Sequence, residues 1–158
     1  MMTMIKRRIS LKQLLQGNEI GMHMNTNQLW GYKKVQYDNK GYTGECIAKV
    51  LIPPGTKIIR PSNESNNKHH AKHHTKHQNY LASNQLRANK LIVTGFYSIR
   101  SNERLPFFSA KSLHCKKFEY NIGHYKMPDK FDENIHKKCT NGLHFYFNLE
   151  QAKKHNGE

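Results

Sequence analysis

A chain of 158 residues with 36% hydrophobic side chains has the size of one domain and the composition of a modest core, partly offset by eight Tyr and seven Phe. Its 26 Lys and Arg against 11 Asp and Glu leave a net charge of +15, which draws anionic partners and puts nucleic acid first among them, because neutralised phosphates release counterions. Three cysteines without CxxC spacing (Cys46, Cys115 and Cys139) argue against a disulfide framework, and no apolar run reaches the roughly 18 residues of a membrane span or the core of a secretory signal.

The first element is a short helix. Ser10-Leu11-Lys12-Gln13 has the form of a capping box, Leu11, Leu14 and Leu15 make an apolar stripe, and Gly17 stops it. Leu29 to Tyr37 is rich in aromatic and β-branched residues. Asp38 to Gly41 has turn chemistry, and Cys46, Ala48, Val50 and Ile52 then alternate on one face. These segments predict a hairpin, ended by Pro53-Pro54-Gly55.

Residues 61–79 break the pattern. They hold His69, His70, His73, His74 and His77 among Asn and Lys, with no aromatic or branched aliphatic side chain. Such a segment cannot offset its ordering entropy, so we expect a disordered low-complexity loop inside one domain. Lys68, Lys72 and Lys76 against Glu64 give this loop only +2, so +13 belongs to the rest of the chain.

Asn89 to Ile99 reads as a central strand, apolar on both faces. Phe107 to Ala110 and Lys117 to Tyr120 read as short strands, and Gly142 to Phe147 as the strongest late one. Asn148 is a fitting N-cap for a last helix over Leu149 to His155, whose Lys153 and Lys154 suit the negative end of the helix dipole. The expected fold is α+β: a mostly antiparallel sheet, short helices near both ends, and a disordered His/Asn/Lys-rich loop. Residues 1–27 are expected as a basic N-terminal arm carrying the first helix, and 28–158 as a single α+β domain.

Several segments together resemble one uncharacterised domain family. They are Trp30-Gly31-Tyr32-Lys33-Lys34-Val35, Ile47 to Pro53, Arg87-Ala88-Asn89-Lys90, Tyr120 with Gly123, Pro128 to Asn134, Cys139 with Gly142-Leu143-His144-Phe145, and Glu150 to Ala152. The family is found alone or joined to pentapeptide repeats in proteins of giant DNA viruses and some phages, and no function is established for it. The resemblance implies a viral protein of the host cytoplasm, nucleus or virion, not a secreted one. It supplies no catalytic residue.

The basic and aromatic residues suit nucleic acid best. Arg7, Arg8 and Lys12 gather near the start, Lys33 and Lys34 flank Trp30 and Tyr32, and Lys116 and Lys117 form a later pair; Arg100, Arg104 and Lys111 add to them. Rings beside cations can stack on bases while the cations meet phosphates. No helix-turn-helix, RNP, KH or zinc-finger signature is present, so the expected contact is with the DNA or RNA backbone and without sequence preference. The competing view is that these aromatics are core and the lysines a wetted face.

Other constellations carry weaker chemistry. His69, His73 and His77 are spaced four apart, but His-rich low complexity binds metals adventitiously. Cys115, Cys139 and His144 lack zinc-ligand spacing. No metal site and no cofactor is expected, and Walker and dinucleotide glycine motifs are absent. Asp129, Asp132 and Glu133 read as a solvated turn. Cys139 with His144 has the makings of a thiol nucleophile and base. Gly142-Leu143-His144-Phe145 and Trp30-Gly31-Tyr32 resemble strands of ADP-ribosyltransferases, without the terminal catalytic Glu strand. The expectation is a non-catalytic binding module for an anionic partner. A module for a viral or host protein is the alternative, and an ADP-ribosyltransferase-like or nuclease-like enzyme the second.

Overall fold

The computed structural model describes residues 7–62, 84–113, 118–137 and 141–155. Among them are helix α1 (Leu11–Gln16), strands β1 (Gly21–Met24), β2 (Leu29–Asn39), β3 (Tyr42–Ile52), β4 (Lys57–Arg60), β5 (Leu86–Ala88), β6 (Leu91–Tyr97), β7 (Arg104–Leu105), β8 (Ser109–Ser112), β9 (Glu119–Asn121), β10 (Tyr125–Lys126) and β11 (Leu143–Phe145), and helix α2 (Leu149–Lys153). The low-complexity segment from residue 63 onward lies outside the described residues.

The local signals act where expected. The Ser10 side chain accepts from Gln13 N–H while the Gln13 side chain accepts from Ser10 N–H, and Gly17 closes α1 at φ 82°. β2 and β3 pair antiparallel from Leu29↔Ile52 to Asn39↔Tyr42. Lys40 and Gly41 join them with φ of 52° and 87°, the left-handed pair that matches strand twist. Asn148 caps α2 through Gln151 N–H.

The strands form two antiparallel sheets rather than one. The large sheet runs β10-β6-β3-β2-β8-β9, with β7 also on β6; the small sheet runs β1-β4-β5-β11. The expected strand over 89–99 is found as β6, paired on both sides with β3 and β10 inside the large sheet. β5 belongs to the small sheet and β6 to the large one, and the corner at Asn89 is pinned by its side-chain oxygen accepting from Lys57 N–H at 2.9 Å. The described part of the stretch before residue 28, from residue 7 onward, is tied to the small sheet and the core. β1 pairs with β4, Arg8 bridges to Met22, and Leu14 is fully buried in the core.

Alternation sorts the large sheet into two faces. Val35, Cys46, Ala48, Val50, Ile52, Val93 and Phe96 point inward and meet Ile58, Leu86, Ala88, Leu143 and Phe145 of the small sheet. Each Val, Leu, Ile or Phe among them contributes about 1.5–3 kcal/mol from burial before entropy is counted. The outer face of the small sheet is covered by a second cluster, Met22 and Ile59 against Ile135 and Phe131. Among the described residues, the outer face of the large sheet is covered only in part. Leu149 and Ala152 of α2, with Tyr146, pack on Tyr32, Ile47 and Ile99.

Candidate functional site

The segment Trp30 to Val35 changes task at every residue because β2 alternates. Gly31 faces inward, and a Cβ there would stand 2.6 Å from the Phe145 ring, so glycine is what allows β11 to close on β2. Tyr32 exchanges backbone hydrogen bonds with Tyr146 at 2.8 and 2.9 Å, joining the two sheets. Lys33 also faces inward. It is buried, it donates to the His144 carbonyl at 2.7 Å and lies 5.6 Å from the Tyr120 ring centre. Burial lowers its pKa to about 8. Lys34 faces outward but is held down, donating to the His155 carbonyl at 2.8 Å and pairing with Glu45 at 3.3 Å. Lys33 and Lys34, grouped as one basic pair by sequence, are therefore separated by the sheet and occupied by internal acceptors.

A narrow cleft opens where Lys33, Lys34, Gln85, His144, Tyr146 and His155 meet, with room for about one water molecule. The Tyr146 hydroxyl and His155 Nδ1 share a 2.9 Å hydrogen bond beside it. Small-molecule pockets usually offer about 300 Å³ or more, so this cleft is a polar joint between β2, β11 and the end of α2. Burial raises the Cys46 pKa to about 12, which leaves that thiol inert at ordinary pH. Cys115, Cys139, His69, His73, His77, Lys116 and Lys117 lie outside the described residues. Among the described residues no group of three His, Cys, Asp or Glu side chains is placed to hold a metal. Asp132 accepts from Asn134 N–H and Glu133 pairs with Lys57 at 2.9 Å, so the acidic turn is tied into the fold.

The open part of the large sheet is different. Trp30 stands opposite Leu51, Leu51 opposite Ile92, and Ile92 opposite Tyr125, a straight row across β2, β3, β6 and β10. Trp30 is 47% exposed and Tyr125 57% exposed, with Leu51 and Ile92 half-buried between them. Lys49 Nζ lies 4.8 Å from the Trp30 ring centre, and Lys90 Nζ lies 4.1 Å from that of Tyr125. The neighbouring row is Tyr32, Lys49 and Gly95. The Arg104 guanidinium lies over Gly95, where a Cβ would come within 3.1 Å of it, and sits 6.0 Å from the Tyr97 ring. Neither row contains a carboxylate. Arg7, Arg8 and Lys12 are exposed elsewhere, beside α1 and β1, and Arg7 pairs with Glu19 at 2.8 Å. Of the residues singled out by sequence, Trp30 and Tyr32 fall in these two rows, and Arg104 lies over Gly95 beside them. Lys49, Lys90 and Tyr125 were missed, because only strand register brings them to Trp30.

Both sheets and the open face lie within one recognised stretch of chain. The model of a family of unknown function, DUF5758, matches residues 20–152. The chain belongs to this family. Its relatives include uncharacterized protein L223 of Acanthamoeba polyphaga mimivirus, which is 24% identical over 158 residues, covering 89% of this chain and 92% of that one. No solved structure matches. The DUF5758 span takes in every strand named above and most of α2, and begins after α1. Two of the segments that carried the resemblance to a giant-virus family, Trp30 to Val35 and Gly142 to Phe145, meet at the joint of the two sheets. Among the described residues no helix is long and apolar enough to cross a membrane.

Proposed function

We propose that this protein is a non-catalytic module that binds nucleic acid without sequence specificity, on the open part of its large sheet. The carrying observation is the pairing of exposed rings with cations: Trp30 with Lys49 and Tyr125 with Lys90, in rows without a carboxylate. The net charge of +15 supports the same polarity of partner. Cations on such a face meet phosphates, and the apolar positions between the rings accept the flat faces of bases or sugars. Arg7, Arg8 and Lys12 lie in a separate exposed basic region and would add salt-sensitive attraction rather than specificity.

The experiment is binding of the full chain to labelled DNA and RNA across about 50 to 300 mM salt. The expected result is measurable affinity at the lowest salt that falls steeply as salt rises. No retention at low salt, or retention indifferent to salt, overturns the proposal. It would then place a protein-interaction or virion-associated module first.

A further inference from the structure

We infer that the ligand of this face is a single strand, whose bases stack on Trp30 and Tyr125; the inference rests on the nucleic-acid reading above and narrows it. In a duplex the faces of the bases are covered by their neighbours and only their edges and the phosphates are offered. Stacking of a base on an exposed ring needs a base whose face is free, which a single strand offers. The row ends in two such rings. They stand three strand spacings apart, about 14 Å, which a short oligonucleotide spans. Leu51 and Ile92 fill the interval with half-buried aliphatic surface and place no ion there.

The helices among the described residues point the same way. α1 has six residues and α2 five. Leu14 of α1 and Ala152 of α2 are buried in the core clusters, so neither helix is free to enter a major groove. The cations are positioned for a strand laid across the sheet. In the free protein Lys49 and Lys90 rest on the two rings. A stacking base displaces each ammonium onto the phosphate beside that base, so one contact is exchanged for a stack plus an ion pair. Lys49 also belongs to the adjacent row, where Gly95 raises no side chain and Arg104, donating to the Thr94 carbonyl at 3.2 Å, adds a second cation, leaving a low basic margin for the backbone.

The chain has a single tryptophan, so its fluorescence reports this site directly. The full chain is titrated at low salt with oligo-dT and oligo-U of about a dozen nucleotides and with a duplex of the same length. Saturable quenching of Trp30 by the single strands, with weaker binding of the duplex, is expected. By anisotropy of labelled oligo-dT, Trp30→Ala and Tyr125→Ala each weaken binding by roughly five- to 150-fold, and Trp30→Phe retains most of it. Circular dichroism checks that each variant is folded. Binding that leaves Trp30 fluorescence unchanged, or a duplex bound as tightly as the single strand, overturns the stacking inference and spares the nucleic-acid proposal. Absence of binding to all three probes overturns both.

Discussion

The outer face of the large sheet is closed at one end and open at the other, and cations behave differently in the two. At the closed end Lys34 is spent on the His155 carbonyl and on Glu45, under the same cover that buries Ile47 and Ala152. At the open end Lys49, directly opposite Tyr32 on the neighbouring strand, rests on an exposed ring. The same composition thus serves two purposes. A lysine facing an internal carbonyl fixes the fold, and a lysine facing an exposed aromatic remains available to a partner. Net charge alone cannot separate these classes, and strand register can.

The comparison predicts that cations of the closed regions carry stability and those of the open region carry binding. The extreme closed case is Arg87, fully buried, whose guanidinium donates to the carbonyls of Asp132, Asn134 and Lys137 at 2.9, 2.7 and 2.6 Å. Arg87→Met leaves those carbonyls without their donor and should cost about 3–5 kcal/mol in urea unfolding. A loss under about 1 kcal/mol would break the assignment. Next, Ile47→Ala under α2 should cost about 2–5 kcal/mol, while folded protein retains its affinity for oligo-dT.

Lys33 offers a pH test. Its folded pKa of about 8 lies below the ordinary 10.5. Between pH 8 and 9 the unfolded chain keeps this proton and the folded chain sheds it, so the contribution of Lys33 to stability rises with pH. Above about 9 the buried Cys46 thiol, held protonated only in the folded chain, acts with the opposite sign. Wild type should therefore gain about 1 kcal/mol over Lys33→Met between pH 8 and 9. Parallel stability curves for the two proteins would contradict the burial of that amine. The smallest stability effect belongs to the open end. Lys49→Met should change unfolding by less than about 0.5 kcal/mol, yet lower the slope of log affinity against log salt by about one.

Much of the fold was legible because its signals are local. The Ser10–Gln13 capping box, the β2–β3 hairpin with its alternating Cys46 to Ile52, and the Asn148 cap each need only a few neighbouring residues. Of the small sheet only β11, within Gly142 to Phe147, was legible. Lys57 to Arg60 shows no alternation, since Ile58 and Ile59 are covered on opposite faces and Arg60 is drawn inward to the Leu14 carbonyl. The burial of Lys33 depends on an acceptor 111 residues away, His144. Of the open face, Trp30 could be named from sequence. Its companions Leu51, Ile92 and Tyr125 could not, because their alignment includes a register shift between Lys49 and Val50 that no local pattern announces.

Backbone amide chemical shifts of the full chain, followed during titration with a short oligo-dT, test the division of the sheet most directly. Changes are expected to centre on Trp30, Lys49, Leu51, Ile92 and Tyr125, with Ile47, Leu149 and Ala152 unmoved. Changes confined to α2 and the closed end, or to Arg7, Arg8 and Lys12, would contradict that division.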